Sequence, residues 1–352
     1  MKIKQLNTRM VAVALLGVVI LLLAIFAIVR WQSRHLAVRT APRPTASTTA
    51  TPTPELEPLA IAALRARSYN PTTIMVEQEL DSVGGASSQI ISYHSDGLKI
   101  YALSTTPIGS PPTGGWPVIV LNHGYIEPAN YHTDGPEYQQ FIASLTSAGF
   151  KVIKPDYRGH GRSEGQPEGG HFSPAYTYDL LNLVATLKQT PGVNGSRIGF
   201  LGHSMGAHVA LRATVTSKDI KATALMSGVV GSMNDIFYNW PRSPMPFDQP
   251  RPIVQGKRLE LIKKYGEPKD NPTFWDSVSA INFVSQISNP VQIHHSAGDS
   301  MVPLLFSEHL TTALKNANKS VEFYTYPGND HQLITSRNLV LQRLTNFFKT
   351  NL

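Results

Sequence analysis

The stretch GFLGHSMGAHVALRA, residues 199–213, constrains the fold more than any other part of the sequence. An apolar run with the character of a strand ends at the Gly-His-Ser-Met-Gly segment, 202–206, and an apolar run with helical spacing follows at once. A chain that turns so sharply from strand into helix strains its backbone at the turn and leaves no room for side chains beside it. We therefore predict that Ser204 lies at this turn, with Gly202 and Gly206 providing space on either side.

From about residue 70 onward, segments with the pattern of strands alternate with segments that have helical spacing. The short apolar runs that predict buried strands include WPVIVLNHG, FKVIKPDY, RIGFLGHS, IKATALM, PVQIHHS and SVEFYTY. Buried strands that alternate with helices are typical of an α/β protein, in which a mostly parallel sheet has helices on both faces. The segments TTIMVEQEL and QIISYHSDGLKIYALSTT have no helix between them, so we expect antiparallel pairing there and a turn at Asp96-Gly97.

Residues 231–289 interrupt this alternation. They are rich in proline and aromatic residues, which include Phe237, Tyr238, Trp240, Pro241, Pro244, Pro246, Phe247, Pro250 and Pro252. We interpret the segment as a lid-like insertion over the edge of the sheet rather than as a separate domain. The folded domain is then expected to span residues 69–352.

The N-terminal segment has a different character. Met10–Val29 is an uncharged apolar run of 20 residues, long enough as a helix to span the roughly 30 Å hydrocarbon core of a bilayer. Arg30, Arg34 and Arg39 follow this run, whereas a cleaved signal peptide has a shorter apolar run and small residues at its cleavage site. We therefore favour an uncleaved transmembrane helix with basic flanks, residues 1–39, that holds the rest of the chain outside the cytoplasm.

Residues 40–68 are predicted to be an extended linker, because Thr and Pro dominate residues 40–58 and no apolar period is present there. The net charge of the chain is +7, but residues 1–39 hold six basic residues and no acidic one, which leaves only +1 for the remainder. This distribution argues against a nucleic-acid partner, since phosphate binding needs a clustered basic surface.

The chain has no cysteine, which excludes disulfides, thiolate metal sites and a cysteine nucleophile. The spacing His-Glu-x-x-His and comparable metal-ligand spacings do not occur either. We therefore expect neither a metal nor a cofactor.

A serine hydroxyl at a turn from strand to helix is presented at the carboxyl edge of the sheet, and it becomes a nucleophile when a base takes its proton. Asp299 follows the predicted strand PVQIHHS, 95 residues after Ser204, and His331 follows the last predicted strand, 32 residues after Asp299. The carboxyl ends of parallel strands share one edge. We therefore predict that Ser204 is the nucleophile, His331 its general base and then acid, and Asp299 the group that orients the imidazole.

Two alternatives concern the acid. Asp330 is a second carboxylate near the base, but it neighbours His331 in the chain and is poorly placed to reach the far nitrogen of the ring. Asp299 precedes a predicted helix, where an aspartate often serves only as an N-cap. The nearby histidines are interpreted as supporting residues, His203 by packing at the turn and His295 by supporting the loop of Asp299.

Negative charge that develops on a carbonyl oxygen during acyl transfer needs fixed N–H donors. Met205 supplies one backbone N–H directly after Ser204, at the positive end of the following helix. The second donor is expected from the loop after WPVIVLNHG, where His123-Gly124 makes a tight turn and the backbone N–H of Tyr125 is the candidate. A plain turn at the strand end is the alternative for this loop.

Together these motifs resemble the α/β-hydrolase superfamily, and within it the catalytic domain of the prolyl oligopeptidase-like serine hydrolases. The resemblance covers about residues 90–349 and rests on SDGLKIYALSTTP, WPVIVLNHGY, DYRGHGRSEG, GHSMGAHVAL, AGDSMVPLLFSEHL and YPGNDHQL. It implies a mostly parallel eight-stranded sheet, hydrolysis of esters or peptide bonds without a cofactor, and Ser204, Asp299 and His331 as the catalytic triad. The HHSAGD segment, 294–299, departs from the family's usual His-Gly-x-x-Asp.

The residues and the resemblance together predict a membrane-tethered, extracytoplasmic serine hydrolase that forms an acyl-enzyme. The residues before position 70 leave no room for the propeller domain of true oligopeptidases, so a carboxylesterase is favoured over a peptidase. The aromatic insertion predicts a small ester or peptide substrate with an apolar part. Acyl transfer by the same residues, and a non-catalytic binding module on the same fold, are the alternatives.

Overall fold

A computed structural model describes residues 22–28, 30, 57–83, 85–240, 252–328 and 330–352, and its strands form a nine-stranded sheet. In chain order the strands are β1 (Met75–Val83), β2 (Ala86–Ser95), β3 (Leu98–Pro107), β4 (Trp116–Asn122), β5 (Lys151–Pro155), β6 (Val193–His203), β7 (Ile220–Met226), β8 (Val291–Ser296) and β9 (Val321–Tyr326). The helices are α1 (Ile61–Ala66), α2 (Gln139–Ser147), α3 (Ala175–Leu187), α4 (Met205–Thr216), α5 (Pro252–Tyr265), α6 (Pro272–Val278), α7 (Leu304–Asn316) and α8 (Arg337–Asn351). From β4 onward strands and helices alternate, as the sequence predicts.

The sheet has an antiparallel part and a parallel part. Across it the strands lie in the order β1-β2-β3-β5-β4-β6-β7-β8-β9. β1, β2 and β3 form antiparallel hairpins and β3 is antiparallel to β5, whereas all the remaining neighbours are parallel. The turn between β2 and β3 lies at Asp96 and Gly97, with φ values of 53° and 83°. The predicted antiparallel pairing and its turn are thus confirmed.

The expected count of eight strands is wrong by one, because β1 adds a ninth strand at the edge of the sheet. β1 pairs with β2, and none of its residues 75–80 is buried. This strand is therefore held by backbone hydrogen bonds to its neighbour rather than by burial of its side chains.

Two apolar cores cover the two faces of the sheet. Side chains of α3, α4 and α7 form the first core, and side chains of α2 and α8 form the second. β4 contributes to both, since alternate residues of a strand point to opposite faces. Val118 and Val120 lie in the first core, and Ile119 and Leu121 lie in the second. The predicted arrangement of helices on both faces is confirmed.

The folded domain begins before the predicted boundary at residue 69. Leu59, Ile61 and Leu64 are buried in the first core, and α1 lies within the same unit as the sheet. Residues 57–68 therefore fold with the domain and are not linker. A helix of six residues beside a Thr- and Pro-rich run has too little apolar periodicity to be recognised. The rest of the predicted linker, residues 40–56, lies outside the described residues.

The predicted insertion, residues 231–289, is mostly helical where the structure describes it. It contains a π-helical turn at Asp235–Asn239, then α5, α6 and a 3-10 helix at Ala280–Gln286, while residues 241–251 lie outside the described part. Trp275 and Val278 of α6 are buried in the first core. The second half of the insertion is thus an integral part of the domain.

The predicted transmembrane helix falls largely outside the described residues. Of residues 10–29 the structure describes only 22–28, which are helical. Within the described part of the chain, no helix has both the length and the apolar character needed to cross a bilayer.

Candidate active site

The turn at Ser204 joins β6 to α4 and has the strained backbone that the sequence predicts. Ser204 has a φ of 54° and a ψ of −119°, a region that residues other than glycine rarely occupy. A Cβ atom at Gly206 would lie 2.1 Å from the carbonyl oxygen of Asn122, and one at Gly202 would lie 2.7 Å from Cα of Ala207. Both distances are far too short for a side chain, so both glycines are required by close approach of the backbone.

The carboxyl ends of β6, β8 and β9 lie on one edge of the sheet, because these strands run parallel. Ser204 directly follows β6, Asp299 lies three residues after β8, and His331 lies five residues after β9. His331 Nδ1 is 2.7 Å from Asp299 Oδ2. The structure thus brings the predicted base and the predicted acid into direct contact at the edge where Ser204 lies.

The buried carboxylate of Asp299 contacts four groups. Oδ1 accepts the backbone N–H groups of Met301 and Val302 at 2.8 and 3.0 Å, and Oδ2 accepts from His331 Nδ1 and lies 3.3 Å from His295 Nε2. Burial alone would raise the pKa of Asp299, but the hydrogen bonds from His295 and His331 outweigh it and hold that pKa well below its usual range. The ionised carboxylate favours the His331 tautomer with its proton on Nδ1, which leaves Nε2 able to accept a proton.

His295 is itself held in a defined tautomer. Its Nε2 lies 3.0 Å from the carbonyl oxygen of Val302, and its Nδ1 lies 2.7 Å from Oγ of Ser307. A carbonyl oxygen can only accept, so we assign the proton to Nε2 and infer that Nδ1 accepts from the Ser307 hydroxyl. His295 therefore supports the loop of Asp299 as the sequence predicts, whereas Ser307, on α7, has no sequence pattern that would have indicated its part.

The loop of His331 contacts the residue that precedes Ser204. His203 Nε2 lies 3.2 Å from the carbonyl oxygen of His331, and the two imidazole centroids are 4.9 Å apart. Among the described residues no hydrogen bond joins the Ser204 hydroxyl to His331. Bonds of that kind often tighten only when substrate is bound. In addition to packing at the turn, His203 therefore connects the loop of His331 to the end of β6 through a hydrogen bond.

The loop after β4 lies directly against the turn at Ser204. A Cβ atom at Gly124 would lie 3.2 Å from Cβ of Ser204. His123 Nδ1 is 2.7 Å from the carbonyl oxygen of Gly124, so the buried His123 ring fixes the peptide that follows Gly124. C=O and N–H point in opposite directions across a trans peptide, so the N–H of Tyr125 points away from this ring. As the first residue of α4, Met205 has an N–H without an acceptor inside the helix.

Asp330, the alternative acid, folds its own loop. Its Oδ1 accepts the N–H of Gln332 at 2.9 Å, and its Oδ2 accepts the N–H groups of Ile334 and Thr335. These contacts shape the segment that follows His331, whereas the contact to the imidazole Nδ1 is made by Asp299.

Tyr138 is a site residue that the sequence analysis missed. Its hydroxyl oxygen lies 2.8 Å from the backbone nitrogen of Gly124 and 2.8 Å from His203 Nδ1. Tyr138 precedes α2 with a left-handed φ of 69°. A tyrosine at the start of a helix has no distinguishing sequence signal, so only the tertiary structure reveals its position.

Aromatic side chains of the insertion contact two loops, Trp240 the loop of Asp299 and Phe237 the loop that carries Phe172. Trp240 Nε1 donates to the carbonyl oxygen of Met301 at 2.7 Å, and the ring of Phe237 lies 5.9 Å from that of Phe172. The insertion therefore places apolar surface beside the acid's loop. In the part of the chain that the structure describes, no group of three or more histidine and acidic side chains is arranged to hold a metal ion.

Two family models match successive parts of the chain. The model described as serine aminopeptidase, S33, matches residues 117–248, and the model described as the prolyl oligopeptidase family matches residues 257–352. The first range includes Ser204, and the second includes Asp299 and His331.

Curated relatives are similar over different shares of the chain. The uncharacterized peptidase YtmA of Bacillus subtilis is 24% identical over 263 residues, which cover 74% of this chain and 92% of that protein. The lysophosphatidylserine lipase ABHD12 of Xenopus tropicalis is 38% identical over 203 residues, which cover 55% of this chain and 46% of the lipase. Several other relatives are matched over less than half of their own length. One of them, an epoxide hydrolase of Caballeronia sordidicola, is matched over 35% of its length.

Solved structures share the architecture. An acetyl xylan esterase from Paenibacillus sp. R4 matches with a TM-score of 0.62 and 18% sequence identity, covering 83% of this chain and 92% of the esterase. At this level of identity the likeness establishes a common fold.

Proposed function

This chain belongs to the serine hydrolases of the α/β-hydrolase superfamily, with features of the prolyl oligopeptidase family, and from that premise we propose that it hydrolyses carboxylic esters through an acyl-enzyme on Ser204. One observation carries the proposal: His331 Nδ1 lies 2.7 Å from the buried carboxylate of Asp299, at the sheet edge where Ser204 occupies its strained turn.

In the first half-reaction the Ser204 hydroxyl oxygen attacks the substrate carbonyl carbon while Nε2 of His331 accepts the hydroxyl proton. The imidazolium that forms is stabilised by the ionised Asp299. The tetrahedral intermediate then expels the alcohol, which takes the proton from His331, and the acyl group stays on Ser204. In the second half-reaction His331 deprotonates water, the hydroxide attacks the ester carbon, and the proton returns to Ser204 as the carboxylic acid leaves.

The backbone N–H groups of Met205 and Tyr125 are the proposed donors to the negatively charged oxygen of both intermediates. Support comes from their positions: one opens α4 directly after Ser204, and the other belongs to the loop that contacts the turn at Gly124. Donors held by a folded backbone need no reorganisation as charge develops, which makes this kind of stabilisation large.

The aromatic surface of the insertion supports a substrate with an apolar part. Trp240 is hydrogen-bonded to Met301, two residues beyond Asp299, so an acyl or alcohol group bound against this side chain would lie beside the base and its acid. Amide or peptide hydrolysis is the second candidate, because both matching family models are described by peptidases.

The test is covalent labelling combined with turnover. A fluorophosphonate probe should label the wild-type protein, and Ser204→Ala should abolish labelling and lower ester turnover by about 10⁴-fold or more. Ser196→Ala is the matched control, since Ser196 is exposed near the opposite end of the same strand, β6. Labelling that survives in Ser204→Ala would show that another residue is the nucleophile.

The same preparation separates the candidate functions. p-Nitrophenyl acetate and butyrate report esterase activity, and aminoacyl p-nitroanilides report peptidase activity. We expect faster turnover of the esters, with butyrate ahead of acetate. A folded wild-type protein that turns over none of these compounds at high concentration would favour the non-catalytic binding module.

A further inference from the structure

A continuous chain of hydrogen bonds connects the loop after β4 to the loop of His331. The Gly124 backbone nitrogen lies 2.8 Å from the Tyr138 hydroxyl oxygen, which lies 2.8 Å from His203 Nδ1. The other ring nitrogen of His203 lies 3.2 Å from the carbonyl oxygen of His331. The chain starts beside the proposed oxyanion donors and ends on the proposed base.

Each bond in this chain has a defined direction. The His331 carbonyl can only accept, so Nε2 of His203 must carry a proton. Burial lowers the pKa of His203 to about 3, so the ring is neutral and its Nδ1 is an acceptor. Tyr138 must then donate its hydroxyl proton to His203, which leaves the Tyr138 oxygen to accept from the N–H of Gly124. Exchanging the donor and acceptor roles of any group in this series would break a hydrogen bond.

We propose that Tyr138 and His203 are positioning residues. They hold the loop after β4, which carries the proposed donor Tyr125, and the loop of His331 against the end of β6, next to Ser204. This inference rests on the proposed function, because Tyr138 contacts Gly124, the neighbour of the proposed donor Tyr125, and His203 contacts the backbone of the proposed base. It explains why a buried histidine directly precedes the nucleophile, where an apolar side chain would pack as well.

The same geometry fixes the direction of the Tyr125 N–H. Tyr138 holds the N–H of Gly124, and His123 holds the carbonyl oxygen of Gly124. Both peptides flanking Gly124 are therefore oriented by side chains. Without Tyr138, the first of these peptides keeps the hydrogen bond that the Tyr157 hydroxyl donates to the carbonyl oxygen of His123 at 3.1 Å but loses the acceptor for its N–H. The segment that leads to the Tyr125 N–H is then held less firmly.

The decisive variant is Tyr138→Phe, assayed on a matched ester and thionoester. Because sulfur accepts hydrogen bonds weakly, the oxyanion donors assist the ester more than the thionoester. We expect kcat for the ester to fall by about 10- to 100-fold with little change in KM, and the preference for ester over thionoester to shrink. Tyr69→Phe is the control, since its hydroxyl donates at 2.8 Å to the Leu64 carbonyl, away from the site.

Two His203 variants test the hydrogen bond to Tyr138 and the hydrogen bond to His331 separately. In His203→Gln the amide N–H can replace Nε2 and keep the bond to His331, but the acceptor for Tyr138 is lost. In His203→Asn the amide oxygen can replace Nδ1 and keep the bond to Tyr138, but the bond to His331 is lost. We expect the first variant to reproduce the reduced ester preference and the second to slow both substrates equally. These variants also serve if Tyr138→Phe does not fold.

The outcomes distinguish this inference from the proposed function. Wild-type turnover that Ser204→Ala abolishes, together with unchanged kcat and unchanged ester preference in Tyr138→Phe and His203→Gln, overturns the positioning role alone. A loss of activity that affects ester and thionoester equally in all three variants also overturns it, since that is what general loosening of the fold would produce. Absence of wild-type turnover overturns both proposals.

Discussion

The turn at Ser204 and the N-terminal strap, residues 57–66, are held in the domain in opposite ways. At the turn, backbone packs against backbone so closely that a Cβ atom at Gly206 would lie 2.1 Å from a carbonyl oxygen. The strap is held at its polar contacts by long side chains from distant parts of the chain, Arg212 to Leu59 and Lys264 to Glu57. The close approach at the turn requires glycines at fixed positions around Ser204, which leaves a pattern in the sequence even though Gly206 meets the distant Asn122. The side chains that hold the strap lie more than 150 residues away from it and follow no such pattern.

Gly206→Ala should break the turn and have the largest effect on stability. The new methyl group would overlap the Asn122 carbonyl, and the backbone of β4 cannot move away without disturbing the sheet. We expect the free energy of unfolding, measured by chemical denaturation, to fall by about 4 kcal/mol or more.

Gly256→Ala is the matched control for that variant. Gly256 lies in α5, and a Cβ atom there would meet no atom within 4 Å. Alanine in a helix is favoured over glycine, so we expect this substitution to be neutral or to stabilise the protein by about 0.5–1 kcal/mol. Similar losses in the two variants would show that the turn tolerates a side chain and is not held by close packing of backbone against backbone.

The sequence predicts the features that have a local pattern, and it does not predict those that depend on side-chain contacts between distant residues. The Gly-x-Ser-x-Gly turn and the alternating strands and helices are local patterns, and they also indicate that Asp299 and His331 follow parallel strands that end at one edge. Tyr138 and Ser307 join the site through contacts that only the folded chain creates. The strap was mistaken for linker because α1 has six residues and is buried by elements far away in sequence. The ninth strand, β1, corresponds to the segment TTIMVEQEL, which has a strand pattern, so the count of eight comes from the resemblance and not from the residues.

Arg212→Met should sharpen the comparison with an intermediate effect. Arg212 is fully buried and donates from Nη1 to the Val278 carbonyl at 2.8 Å and from Nη2 to the Leu59 carbonyl at 2.6 Å. Methionine fills similar space but leaves both carbonyls without these donors. Relief of a buried charge offsets part of that loss, so we expect the free energy of unfolding to fall by about 2–3 kcal/mol, measured by denaturation.

Arg212→Lys tests whether charge or geometry matters at this position. Burial lowers the pKa of Arg212 to about 10, so the guanidinium remains charged at neutral pH. Lysine keeps a positive charge but lacks the fork that reaches two carbonyls at once. We expect a loss at least as large as that of the methionine variant. Wild-type stability in Arg212→Lys would show that the strap needs only a cation at this place.

Glu57→Gln should have the smallest effect and should act on the strap alone. Glu57 is 2.9 Å from Lys264 and also accepts from Tyr265, but the Lys264 side chain is 65% exposed, and ion pairs open to water are weak. We expect the melting temperature to stay unchanged while amide exchange in residues 57–66 becomes about two- to fivefold faster, a difference that should disappear at high salt. Asp219→Asn, which removes the exposed pair with Lys188, should leave exchange in the strap at its wild-type rate. Faster exchange that persists at high salt would mean that Glu57 supports the strap through its hydrogen bond to Tyr265 and not through its ion pair with Lys264. The strap, like the turn, would then depend on the exact placement of atoms and not on charge.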